Sequence, residues 1–209
     1  HTHMISRAWL AMLAERGAPH YTLGQAVGQP IVRRDGAPFM TLFPEMWDYE
    51  ARLRDMDAAG VDVAIVSLSG PNVWNEDADA ARAAALMNDD MAAAQARWPA
   101  RIRWLASIPW QNADLALAEL DRACSRGAVG VMCLANVGGR SLTAEAFAPI
   151  WAEIDRRRLP VLIHPTAPPG VDGLDMARYN LVASVGFVFD TSLAIARMIH
   201  DDFLDRHTG

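Results

Sequence analysis

Much of what this sequence lacks is informative. It has two cysteines in 209 residues, Cys124 and Cys133, too few for a disulfide framework. A cytoplasmic protein with reduced thiols is expected. No block of like charge is longer than Arg156, Arg157 and Arg158, and 19 basic against 25 acidic residues give a net charge of −6. Nucleic-acid binding through a basic face is therefore not expected. No apolar run approaches the ~20 residues of a membrane span, so no membrane partner is expected. No signal or transit segment is expected, although the N-terminus itself reads as cut. No Gly-rich phosphate loop follows an apolar run, which weakens a nucleotide-binding reading. No serine has the setting of a nucleophile elbow. What remains is ordinary globular composition, 52% hydrophobic and 21% charged, which excludes disorder, collagen or coiled coil as the dominant state.

Five segments read as strands: 1–4, 61–67, 102–108, 128–134 and 160–164. Near-continuous apolar runs of this length suit a parallel sheet buried on both faces. Helical periodicity fills the gaps. Residues 47–59 end at Gly60, a favourable residue just past a helix end. Residues 78–98 place Met87, Met91, Ala94 and Trp98 on one side. Residues 113–126 follow Asn112 as N-cap. Thr143 is expected to cap a helix carrying Phe147, Ile150 and Ile154, closed by three arginines that suit its dipole. Asp190 is expected to cap a last helix with Ile195, Ile199 and Phe203. Alternation of this kind implies right-handed parallel crossovers. It does not by itself separate an open doubly wound sheet from a barrel. A complete (β/α)8 barrel needs about 250 residues, so any barrel here is an incomplete one of about five units. The expectation is one partial barrel domain over residues 1–209.

Residues 21–44 break the alternation. They are rich in Gly and Pro, and Asp35-Gly36 is a hairpin turn signal. A small inserted β-ribbon is expected, either covering a site or decorating an edge. The ends are also unusual. The chain opens on His-Thr-His-Met and stops in a polar loop, so it reads as a piece of a longer protein. His1 and His3 are then either a tag scar or the tail of a first strand.

Six histidines are present. In a strand, residues i and i+2 share a face, so His1 and His3 can grip one metal together. His164 ends the run Pro160-Val-Leu-Ile-His164. In a parallel barrel the strand ends converge on one mouth, where three neutral imidazoles make an open metal site. The alternative for His164 is a hydrogen-bonded histidine closing a buried strand. His20, His200 and His207 read as exposed. Cys124 and Cys133 read as packing residues rather than nucleophiles.

Several stretches carry a resemblance. They are the opening His1-Thr-His3, Trp47-Asp-Tyr-Glu-Ala-Arg-Leu-Arg-Asp-Met-Asp-Ala-Ala-Gly60, Met87-Asn-Asp-Asp-Met91 and Leu105-Ala-Ser-Ile-Pro109. Gly130-Val, Leu162-Ile-His-Pro165 and Gly186-Phe-Val-Phe-Asp-Thr-Ser192 complete the set. As an ordered set they resemble the amidohydrolase-related family that contains aminocarboxymuconate-semialdehyde decarboxylase and the resorcylate-type decarboxylases. The resemblance implies a (β/α)8 TIM barrel of the metal-dependent hydrolase type. It implies one divalent metal, usually zinc, held by His1, His3 and His164, and it disfavours the tag reading. The family's further essential groups, a sixth-strand histidine and an eighth-strand aspartate, are expected beyond Gly209; His207 does not replace them.

The implied activity is metal-dependent non-oxidative decarboxylation of an aromatic or muconate-type carboxylic acid. Phe39, Met40, Asn72, Trp74 and Phe189 are candidate pocket walls. The family arginine after the ribbon phenylalanine is Met40 here, which implies a different substrate, with Arg33 or Arg34 as candidate replacements. The tryptophan after His-Pro is replaced by Thr166. Two other functions stay open. One is a hydrolase of a lactone or amide on the same scaffold. The other is a catalytically incomplete metal-binding fragment or subunit interface. Relatives are often dimers, so a homodimer is an expectation by analogy.

Overall fold

The computed structural model describes residues 1–73, 77–176, 179 and 181–209. The strands are β1 (Thr2–Met4), β2 (Tyr21–Ala26), β3 (Gln29–Arg34), β4 (Ala37–Thr41), β5 (Ala64–Leu68), β6 (Ile102–Ala106), β7 (Gly130–Leu134), β8 (Asn136–Val137), β9 (Arg140–Ser141) and β10 (Val161–His164). The helices are α1 (Arg7–Arg16), α2 (Tyr49–Ala59), α3 (Asp77–Arg97), α4 (Ala113–Ser125), α5 (Ala148–Arg156), α6 (Phe187–His200) and α7 (Phe203–Arg206). Five strands form one parallel sheet in the order β1-β5-β6-β7-β10. The sheet is curled, with the helices on its outside: the incomplete α/β barrel that the resemblance implied.

Local chemistry explains most boundaries. Ser6 accepts from Trp9 N and starts α1 directly after β1. Asp48 accepts from Glu50 N and Ala51 N to start α2, and Gly60 ends it at φ 67°. Asn112 caps α4 through Leu115 N. Trp9, Trp104, Leu120, Phe147 and Ile150 are fully buried between sheet and helices. Burial of that kind contributes roughly 1.5–3 kcal/mol per large side chain.

The structure departs from expectation in several places. The sequence reading assigned no helix to residues 7–16, although Trp9, Met12 and Leu13 at i, i+3 and i+4 are buried on one face. The ribbon has three antiparallel strands rather than two, because β2 pairs with β3 along its full length. Both of its turns, Val27-Gly28 and Asp35-Gly36, have positive φ at both central residues, the tight hairpin type. Thr143 caps nothing: it bonds Asp201, and a short 3₁₀ turn, Glu145–Phe147, leads into α5. Asp190 is not a cap either. The helix begins earlier, with a π-turn at Val182–Gly186 running into α6, and Asp190 sits inside it, buried.

The same helix corrects another expectation. Val182–His200 is long and apolar enough, by length and composition, to cross a membrane. Asp190 interrupts the apolar run in the sequence but is turned into the protein interior, beside Ala194 and Met198 in the core.

Gly130 shows how closely the strands pack. A Cβ there would lie 2.5 Å from Pro160 O and 2.9 Å from Leu105 Cδ2. Gly130→Ala is expected to destabilise the chain by about 1–3 kcal/mol through overpacking, read as a lowered urea midpoint at unchanged slope.

Candidate metal centre

β1 and β10 are the two edges of the five-stranded sheet. In a flat sheet, four spacings would separate them by about 19 Å. Their histidines nevertheless touch: His3 Nε2 and His164 Nε2 are 3.0 Å apart. The curl brings the strand ends to one mouth, as the convergence argument expected.

Each imidazole is held by its other nitrogen. His164 Nδ1 donates to the carbonyl of Pro165 at 2.7 Å. His3 Nδ1 lies 3.2 Å from Ser67 Oγ, directly across the β1–β5 register. His1 shares the face of His3, their ring centroids 4.7 Å apart. Its Nε2, however, is turned to Ser67 Oγ at 2.8 Å. Among the described residues no three side chains form a closed ligand set. The histidines are gathered, and two of the three aim at one point.

That pair fits a divalent cation. With metal–nitrogen bonds of about 2.1 Å, two ligands at a right angle stand about 3.0 Å apart and two tetrahedral ligands about 3.4 Å apart. Both nitrogens facing the point can present lone pairs while Nδ1 holds the ring proton, the usual arrangement of metal-binding histidines. The electrostatics agree. His3 is pushed down to about 4, mainly by burial and then by His164, with a Ser67 hydrogen bond pulling the other way. Burial also lowers His164, against the Pro165 hydrogen bond. Neutral imidazole is the ligating form.

A buried clamp sets the loop after His164. Asp190, 1% exposed, accepts from Thr166 N at 2.9 Å and from Asn136 Nδ2 at 2.8 Å. Asn136 also donates to Ala167 O, and Ala135 N donates to His164 O. Burial raises the Asp190 carboxyl, and its two hydrogen bonds oppose the rise. Ser67 and Asn136 escaped the sequence reading, which took Asp190 for a helix cap rather than part of the site. The one available signal was a polar residue in or just beyond an apolar strand, as at Ser67 and Asn136.

The candidate pocket residues separate. Phe39 lies over the end of β5, where a Cβ on Gly70 would come within 3.0 Å of its ring. The Met40 sulfur accepts from Ser69 Oγ at 3.6 Å. The ribbon thus reaches the mouth. Asn72 is buried, its polar atoms spent on Leu68 O, Met132 Sδ and Val73 N. Phe189 is 47% exposed on α6. Trp74 lies outside the described residues. Arg33 does not turn inward: it bonds Gly36 O and Gln25 O within the ribbon, and Arg34 lies beside Asp35. His20 pairs with Asp35, His207 packs on Phe203, and neither joins the trio.

Two outcomes follow. A histidine whose folded pKa is depressed leaves the unfolded chain holding more protons below pH 6.5. The metal-free chain should therefore lose stability as pH falls from about 6.5 towards about 4. His3→Asn should flatten that part of the curve in urea melts against pH. Asp190→Ala takes the side-chain acceptor from Thr166 N and one of two acceptors from Asn136 Nδ2, and should cost about 1–3 kcal/mol in the same melts at pH 7.

Comparison with known proteins agrees with the architecture. The chain is 27% identical to the 2-amino-3-carboxymuconate-6-semialdehyde decarboxylase of Dictyostelium discoideum, over 99% of this chain and 58% of that protein. It is 29% identical to the gamma-resorcylate decarboxylase of Rhodococcus jostii, over 77% of this chain and 53% of that one. Among solved structures it is similar to 5-carboxyvanillate decarboxylase of Novosphingobium aromaticivorans, complexed with manganese and 4-hydroxy-3-methoxy-5-nitrobenzoic acid. The TM-score is 0.73 at 30% identity, covering 78% of this chain and 48% of that one. The chain thus spans about half the length of the relatives it matches. The amidohydrolase family model matches residues 1–209. A parallel half-barrel whose sequence fits that model from end to end leaves one assignment: the chain belongs to the amidohydrolase family.

Proposed function

We propose that this chain provides the histidine side of the metal centre in a non-oxidative decarboxylase, a carboxy-lyase acting on an aromatic or muconate-type carboxylic acid. The observation that carries the reading is the facing pair of His3 and His164, 3.0 Å apart. The names of the relatives support the reaction class, and the manganese in one solved relative supports a divalent cation. Zinc and manganese are both candidates for this chain.

His3 and His164 would hold the cation, with His1 joining them once its ring leaves Ser67. A divalent cation there supplies positive charge for holding an anionic substrate and stabilising charge that develops on it. The chain's own residues do the rest of the positioning. The Pro165 carbonyl orients His164. The Asp190–Asn136 clamp fixes the loop behind it. Phe39 and Met40 bring an apolar wall to the end of β5, against which an aromatic ring can lie. Neither residue is charged, so this wall would leave the substrate carboxylate to the cation. The histidine and aspartate that the resemblance adds to the site are not among residues 1–209, so the chain alone is expected to release no carbon dioxide.

The test is carbon dioxide release from 2,6-dihydroxybenzoate, 5-carboxyvanillate and aminocarboxymuconate semialdehyde by the protein that carries this chain. Activity should disappear on chelation and return with Zn²⁺ or Mn²⁺. His164→Ala should lower it by at least about a hundredfold, the upper end of what a disturbed metal shell costs. Hydrolysis of lactones or amides without carbon dioxide release would replace the decarboxylase by the hydrolase reading. Activity indifferent to chelation would remove the metal centre.

A further inference from the structure

A second polar cavity shares no residue with the histidine mouth. It is an open groove of about 490 Å³ between α1, α2 with the segment before it, and α3, lined among others by Arg7, Trp47, Tyr49, Asp90, Arg97 and Trp98. Asp90 belongs to the stretch Met87-Asn-Asp-Asp-Met91, whose other polar residues are engaged elsewhere. Asn88 holds Ser107, and Asp89 pairs with Arg122 and Arg126. Among the described residues no cation offsets Asp90: burial raises its carboxyl, and the Tyr49 hydroxyl alone opposes the rise. Tyr49 is 9% exposed. Its hydroxyl and Asp90 Oδ2 are shielded from solvent and have no polar partner beyond each other. Asp90 as a whole is only half-buried, so Oδ1 is the oxygen left facing the groove.

The other charges of the groove are engaged. Asp48 accepts from two main-chain N–H groups at the start of α2. Glu50 Oε1 accepts from Arg97 at 2.5 Å. Arg7 lies over the ring of Trp47, 5.3 Å from its centroid, and Arg97 over that of Trp98, at 4.4 Å. Three acidic side chains face two arginines, so the lining carries one negative charge in excess, and Asp90 is the acid without a partner cation. That excess disfavours an anion. A planar guanidinium would need ring faces that the groove's own guanidinium groups already cover. A compact ammonium, with its three rotatable donors, suits the single free acceptor. We propose that the groove binds the ammonium end of an alkylamine. The ammonium donates to Asp90 Oδ1, and the methylene chain runs against the Tyr49–Trp98 ring pair, whose centroids are 6.0 Å apart. The ammonium gains a charge-assisted hydrogen bond and the chain gains apolar contact. A free diamine and a lysine side chain of another protein present this same group.

This inference stands apart from the metal reading. The test follows the indole ¹H–¹⁵N signals of the protein that carries this chain at pH 7.5. The probes are 1,5-diaminopentane and, separately, Nα-acetyl-lysine methylamide, with 1-pentanol as an uncharged control. Both amines should move the Trp98 signal and leave those of the fully buried Trp9 and Trp104 in place. Pentanol should bind at least about tenfold more weakly, because it lacks the charge. Asp90→Asn keeps the shape of the side chain and should weaken amine binding by at least about tenfold. Tighter binding of the diamine assigns a free amine as ligand, and tighter binding of the lysine amide assigns a protein partner. An unmoved Trp98 signal, pentanol binding as well as the amines, or unchanged affinity in Asp90→Asn would each overturn the proposal. If Asp90→Asn does not fold, the wild-type signals and the pentanol control decide.

Discussion

The site depends on one contact, the meeting of His3 and His164 across the concavity of the sheet. These residues belong to edge strands with three strands between them. They touch because the sheet curls, and it curls because strand twist and the outer helices leave it no flat alternative. Trp104 on β6 and Met87, Ala83 and Leu120 on α3 and α4 fill the space behind the central strands. Each is a spacer between sheet and helices, so the histidine separation is a property of the whole packed layer.

The mouth is held by polar groups that are satisfied locally. Asn88 on α3 takes both the N–H and the carbonyl of Ser107 just beyond β6, and its amide also donates to buried Glu119 on α4. Asn72 ties the loop after β5 to Leu68. Asp190 and Asn136 do the same beyond β7 and β10. A strand that ends at a barrel mouth leaves main-chain groups without sheet partners. Here side chains from the helices and loops complete them. The cost of leaving such groups unpaired in a dry setting gives the mouth its rigidity, and a rigid mouth is what keeps two imidazoles in register.

Much of this was legible in the residues. Near-continuous apolar runs marked β5, β6, β7 and β10, the opening residues read as a strand tail or a tag scar, and Gly60 and Asn112 marked helix ends. Asp35-Gly36 marked one ribbon turn. The failures share a cause. Asp190 has the composition of a cap, yet an acceptor from it to Thr166 and Asn136 depends on contacts 24 and 54 residues away. Val61 and Val63 look like strand but lie before β5 and remain exposed, because the parallel partner β6 begins pairing at Ala64. Arg33 looked free to bind substrate and is instead consumed by carbonyls of its own ribbon.

By itself the sequence determined much of what is local and periodic: the barrel strands, most of the helices, the helix ends at Gly60 and Asn112, and that His1 and His3 share a face. These follow from backbone sterics and side-chain spacing within a few residues. Only the tertiary structure decided that β1 and β10 face one another, that Ser67 stands between two histidines, and that His1 is turned away from the pair it was expected to complete. Those are distances between residues 64 or more positions apart. They are set by the curl of a packed sheet, which no short stretch of chain encodes.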